Sequence, residues 1–203
     1  MYVSPPHRLA GLPTPARALV MGVLNVTPDS FSDGGRWLDP QRAIEHGRRL
    51  SAEGADLVDV GGESTRPGAT RPSAQEEAER VLPVIAALAA EGVLVSVDTM
   101  RAEVAAEAVK AGAVLVNDVS GGRADEAMFE TVAAAGAPYV LMHWRAHSAT
   151  MQHRTDYADV VADVAEELAA QLELALAAGI AADRIALDPG IGFSKTADQN
   201  WEV

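Results

Sequence analysis

Short apolar runs alternate along the chain with longer amphipathic or alanine-rich stretches. Residues Ala18–Leu24, Ala55–Val60, Val93–Val97, Ala113–Val116, Pro138–Met142 and Arg184–Leu187 read as strands. The stretches Pro40–Glu53, Ser73–Glu91, Arg101–Ala111, Asp125–Ala135 and Tyr157–Ala178 read as helices. Several of them run into a glycine just before the next strand: Gly54, Gly92, Gly112, Gly136 and Gly179. Glycine tolerates the left-handed conformation that ends a helix and turns the chain back. The strands are apolar throughout instead of alternating, the mark of a sheet buried on both faces. Six βα units in succession therefore predict an α/β protein built on a parallel sheet.

An open doubly wound sheet and a (β/α)8 barrel both fit that alternation. The open nucleotide-binding type carries a glycine-rich loop after its first strand. Here the loop Val26–Asp33 has no glycine before Gly34. A barrel instead sets functional side chains at the C-terminal ends of many strands. The successive strand ends carry Asn25, Asp59 with Glu63 beyond it, Asp98, Asn117, His143 and Asp188. Polar residues at one rim favour the barrel, of which about six βα units are present. Residues 1–17, rich in proline, are expected to form a flexible leader, with the barrel domain over 18–203. A whole barrel needs about 250 residues, so the chain reads as incomplete at its C-terminus. A compact six-unit sheet ending naturally at Val203 is the runner-up.

Composition narrows the partners. Of the 203 residues, 48% are hydrophobic and 22% charged, enough for one domain with a full core. A net charge of −13 argues against nucleic acid. A phosphate-bearing ligand would then need a few local cations, backbone amides or a metal. The absence of cysteine excludes disulfides and thiolate metal sites, and fits a reducing cytoplasm. No apolar run reaches about 18 residues, so no membrane span is expected.

Each rim residue has an ordinary reading beside the functional one. Asp98 in V-D-T could cap the following helix; Asn117 and Asp118 could shape a turn; Asp188-Pro189-Gly190 is an ordinary turn signal. His143, His147 and His153 do not share one helical face, which disfavours a zinc site and leaves His143 as a rim hydrogen bonder. Arg145, Arg154, Glu166 and Glu167 read as solvated. The segment Gly190–Thr196 lacks the spacing of a phosphate loop. Phe31, in the small polar loop Thr27–Gly35, has no packing reason to be there and points to a ligand.

Two segments, Met21–Gly35 and Val58–Gly68, resemble the signature segments of dihydropteroate synthases. The resemblance continues through V-D-T at Asp98, N-D-V-S-G-G from Asn117, M-H at Met142 and D-P-G-x-G-F-x-K from Asp188, and spans Leu19 to Val203. It implies a transferase that joins 6-hydroxymethyl-7,8-dihydropterin diphosphate to p-aminobenzoate. By that resemblance Asp98, Asn117 and Asp188 hold the pterin, Met142 packs on it, and Thr65 contacts its diphosphate side. Asn25 would bind the diphosphate with Mg2+, the implied cofactor. Phe31, Ser64, Pro67 and Phe193 would line the p-aminobenzoate site, and Asp33 would answer Arg66 when the loops close. Sulfonamide sensitivity and a homodimer of the full-length form are further implications. The alternatives are a pterin-binding methyltransferase domain, which has no use for the aminobenzoate pocket, and a non-catalytic paralogue. The family's S-R-K segment and its final R-x-H segment belong to the loops after the seventh and eighth strands, beyond the six read here, so the 203 residues alone are expected to turn over little substrate.

Overall fold

The structure, a computed structural model, describes residues 8–27, 39–63, 71–147 and 150–203. Six strands form one parallel sheet: β1 (Met21–Asn25), β2 (Leu57–Gly61), β3 (Val95–Asp98), β4 (Leu115–Asp118), β5 (Tyr139–Met142) and β6 (Ile185–Asp188). The helices are α1 (Pro40–Ala52), α2 (Ala74–Ala90), α3 (Ala102–Ala111), α4 (Met128–Ala135), α5 (Val160–Ala177) and α6 (Ala197–Glu202). Strand order in space equals strand order in sequence. A doubly wound sheet reverses its order at a switch point; this one never does, which is the winding of a (β/α)8 barrel.

The helices begin where side chains satisfy their free amides. Asp39 accepts from Gln41 N ahead of Pro40 in α1, and Ser73 and Glu76 form a capping box on α2. Asp159 caps α5, while Thr196 and Gln199 form a second box on α6. The helix-ending glycines all adopt positive φ, from 63° at Gly136 to 114° at Gly112. α4 starts later than its sequence suggests, because Asp125 is occupied elsewhere. Its carboxylate accepts from Ala127 N at 3.0 Å and from Ala102 N, the first amide of α3, at 2.8 Å.

α1 packs on α2, α2 on α3 and α3 on α4, with α1, α2, α3 and α5 also against strands of the sheet. Leu24, Val58, Val60, Val95, Val97, Val116, Tyr139 and Leu141 face them and join Ile44, Ile85, Leu88, Val104, Met128 and Val132 in the core. Residues in between, including Val23, Asn25, Asp59, Ser96, Asp98 and Asn117, face the opposite, concave side. At the start of the described chain, Ala10 N donates to Asp183 O at 2.7 Å and Arg17 pairs with Asp56. That pairing holds the Asp56 carboxyl down at a pKa of about 2.

One charge lies on the apolar stripe of α2. Glu77 is 0% exposed and shares its face with Val81, Val84, Ile85 and Leu88. The Thr99 hydroxyl donates to its Oε1 at 2.5 Å, and Arg101 pairs with its Oε2. Arg101 also reaches Glu63 at 3.2 Å, and Arg71 closes on Glu63 at 2.7 Å. Burial raises the Glu77 pKa, with Thr99 and Arg101 working against it. Replacing Glu77 by Ala leaves Arg101 short of a buried partner and should cost about 3 kcal/mol in urea unfolding. Exposed Glu79→Ala on the same helix should stay within about 0.5 kcal/mol; equal small effects would mean that the network carries no stability.

Candidate active site

Register gathers the rim. Asn25 pairs with Gly61, Gly61 with Asp98, and Asp98 with Asn117. These four residues form one row across β1–β4, about 14 Å long at the usual strand spacing. Asn117 continues to Val140, and two residues further along the same face Met142 pairs with Asp188. Asn25, Asp98, Asn117, Met142 and Asp188 thus share one face and one end of the sheet. The polar residues close the strands instead of following them: the backbones of Asn25, Asp98 and Asp188 still pair while their side chains meet the mouth. A cavity of about 600 Å3 lined by Arg8, Pro13, Arg17 and Leu19 lies at the opposite end and includes none of them.

The ordinary reading of Asp98 as a helix cap does not hold. α3 begins at Ala102, whose amide is taken by Asp125, and no side chain caps from Arg101. Thr99 Oγ1 accepts from Arg101 N at 3.2 Å. Asp98 accepts no hydrogen bond from any other described residue. Its carboxylate lies over Gly61, where a Cβ would stand 3.0 Å from Asp98 Oδ2. Burial pushes its pKa well up, and the charges of Asp59, Glu77, Asp118 and Glu63 add to the rise.

Asp59, not singled out from sequence as a contact, supports Asn117 from below. It is 3% exposed and accepts from Asn117 Nδ2 at 2.8 Å. That bond turns the Asn117 carbonyl oxygen away from Asp59. Burial raises the Asp59 pKa, the Asn117 amide opposing it. Asp118 points to the other face: Ser120 N and Oγ, Gly122 N and Tyr139 Oη donate to it at 2.6–2.8 Å. The pair N-D therefore divides its labour, Asn117 toward the mouth and Asp118 into the wall.

Beyond β5 and β6 the rim is charged. His143 Nε2 lies 3.0 Å from Glu167 Oε2, and Arg145 grips the same carboxylate at 2.5 Å. Arg145 also stacks 3.7 Å over the Tyr157 ring. His143 is a rim hydrogen bonder, as expected, but Arg145 and Glu167 are not the solvated charges the sequence suggests. Helical spacing hides this, because Glu167 flanks the buried Val164–Leu168 stripe without lying on it. Among the described residues no three His, Asp or Glu groups converge on a metal position. Phe193 is half-buried in the loop after β6. Phe31, Asp33, Ser64, Thr65, Arg66 and Pro67 lie outside the described residues.

A parallel sheet with donor-seeking carboxylates at the C-terminal ends of its strands defines a barrel enzyme site. The profile of the pterin binding enzyme family matches residues 21–203. A dihydropteroate synthase from Mycobacterium leprae is 55% identical over 185 residues, covering 91% of this chain and 65% of that protein. The solved dihydropteroate synthase of Xanthomonas albilineans with 4-aminobenzoic acid superposes with a TM-score of 0.84 at 46% identity, covering 92% of this chain and 66% of the other. That of Yersinia pestis with a sulfonamide drug gives 0.85 at 45% identity, with 92% and 68% covered. The chain belongs to the pterin-binding enzymes, and within them to the dihydropteroate synthase family. It spans about 65% of the length of the M. leprae relative.

Folding raises the pKa of Asp98, so the protonated form is favoured in the folded state. Its contribution to stability is full below about pH 4, the ordinary Asp value, and is lost as pH rises through the elevated value. Asp98→Asn should therefore raise the melting temperature at pH 8, by roughly 2–4 °C per kcal/mol of repulsion relieved. The gain should vanish near pH 4. Thermal melts at the two pH values decide; a variant less stable at pH 8 than at pH 4, relative to wild type, would contradict the assignment.

Proposed function

We propose that the strand-end row binds a reduced pterin. On this reading the protein joins 6-hydroxymethyl-7,8-dihydropterin diphosphate to p-aminobenzoate, giving 7,8-dihydropteroate and diphosphate. The observation that carries it is the half-buried Asp98 carboxylate, set among like charges yet without a donor from another described residue. Such a group is costly to bury alone. A flat heterocycle with an amino group and ring N–H donors would relieve it, and a poorer analogue would not. The Asn117 carbonyl oxygen and Asp188, whose Oδ1 accepts from Gly190 N at 2.7 Å, flank the same position. Met142 supplies an apolar surface beside Asp188.

Asn25 closes β1 exposed at the lip of the row. A single amide oxygen there fits Mg2+, which commonly takes few protein ligands beside phosphate oxygens and water. When bound, Mg2+ supplies charge neutralisation for a departing diphosphate. Asp98, Asn117 and Asp188 hold the ring, and Phe193 offers a wall to the aminobenzoate. An arylamine is already a neutral nucleophile, so the reading needs no general base. Phe31, Asp33, Ser64, Thr65, Arg66 and Pro67 join it through their motif match, as the loops that close over the second substrate. A homodimer and a cytoplasmic location belong to the same reading and rest on the family. No described helix is long and apolar enough to cross a membrane.

About a third of the M. leprae relative lies outside the match, so binding is a cleaner test than turnover. Calorimetric titration with 6-hydroxymethylpterin should show one site. Asp98→Ala and Asp188→Ala should each weaken it about 10–100-fold, the value of a charge-assisted hydrogen bond. Unchanged affinity in both variants would remove the pterin from this rim.

A further inference from the structure

The loop between β6 and α6 winds around one cation. Lys195 is 4% exposed, and its Nζ lies 2.7 Å from Pro189 O, 3.2 Å from Gly190 O and 3.3 Å from Phe193 O. A fourth contact, at 3.1 Å, is His143 Nδ1. An ammonium only donates, so Nδ1 accepts, and the neutral imidazole carries its proton on Nε2, facing Glu167. Glu167 is held by Arg145, Arg145 stacks on Tyr157, and the Tyr157 hydroxyl donates to Ser194 O at 2.9 Å. The contacts close a ring from Lys195 through β5, α5 and the segment before it, back to the residue preceding Lys195.

The loop adopts a conformation that few sequences tolerate. Ser194 is the only non-glycine at positive φ among the described residues, at 49°. Gly190 stands at φ 71°, where a Cβ would meet His143 O at 2.6 Å. Three carbonyl groups turned toward one point repel each other unless a positive charge sits there. That point lies seven residues after Asp188 in sequence, and the same loop carries Phe193 and the Gly190 amide bonded to Asp188.

We propose that Lys195 is a positioning residue whose ammonium, seated between His143 and the carbonyls of Pro189, Gly190 and Phe193, shapes the loop that presents Asp188 and Phe193 to the ligand. The inference concerns the loop; its link to ligand affinity rests on the pterin reading above. The groups facing Lys195 are His143 on the β5 side, Asp188 at the end of β6, and Arg145 and Glu167 behind the imidazole. Burial lowers the ammonium pKa to about 8, with the Asp188 charge opposing the fall. The loop should therefore loosen at a pH where an ordinary lysine would still hold it.

Hydrogen exchange and 15N NMR on the 203-residue protein test this without a ligand. In the wild type, His143 should show the Nε2–H tautomer at pH 7. Its Nδ1 shift and the Phe193 amide should move together as pH rises from 7 to 9.5. Lys195→Met should speed Phe193 amide exchange at least tenfold at pH 7, remove the pH step and weaken 6-hydroxymethylpterin at least tenfold. Exchange within twofold of wild type, or a His143 shift flat across that range, would overturn the proposal. If Lys195→Met fails to fold, the wild-type titration still decides. A wild-type protein that binds no pterin would sink the functional reading alone, because the exchange and tautomer measurements would stand.

Discussion

Parallel pairing in strict sequence order brings Asn25, Gly61, Asp98 and Asn117 into one row, and the chemistry of the molecule rests on that alignment. A strand presents alternate residues to opposite faces, so a slip of one residue would exchange wall for mouth. Asp98 would then enter the helical layer and Val97 the ligand side. The apolar face prevents it: Leu24, Val58, Val60, Val95, Val97 and Val116 are fully or almost fully buried against the helices. Burial of that face thus sets the position of the polar one. Stability and function are aligned by the same two-residue period.

Charge makes the arrangement specific. The chain is acidic, and two of its carboxyl groups, Asp59 and Asp98, lie on the concave face. Arg101 and Arg71, two of the described cations near β2 and β3, are occupied by Glu63 and Glu77 and do not neutralise Asp98. Among the described residues, the Asp98 side of the rim is therefore left without a cation of its own. Around β5 and β6 the balance differs, since His143, Glu167, Arg145 and Lys195 satisfy one another. Among the described residues, one side of the mouth is electrostatically open and the other is a closed circuit.

Much of this was legible in the sequence. The βα alternation, the helix-ending glycines and the rim residues Asn25, Asp98, Asn117 and Asp188 all follow from period and punctuation. Strand limits were displaced toward the C-terminus because apolarity marks where a strand is buried, not where its backbone pairing stops. Asp59 escaped notice as a support because an acid inside an apolar run looks the same whether it meets solvent or an amide. Glu77 could have been found: it falls four residues before Val81 and eight before Ile85 on the buried stripe. Glu167 and Arg145 could not, since their partners come from separate elements. Lys195 belonged to a recognised motif, yet only coordinates reveal three carbonyls turned toward it.

The neighbours Asn117 and Asp118 carry a lesson about descent. Asp118 is saturated by four donors within the wall, including the Tyr139 hydroxyl, so almost any replacement there would unravel the end of β4. Asn117 answers to Asp59 alone among the described residues and otherwise to whatever occupies the mouth. The two adjacent positions thus answer to different demands, one set by the wall and one by the mouth. A change of heterocycle would be met at the first position, together with Asp59 beneath it, long before the second could be touched.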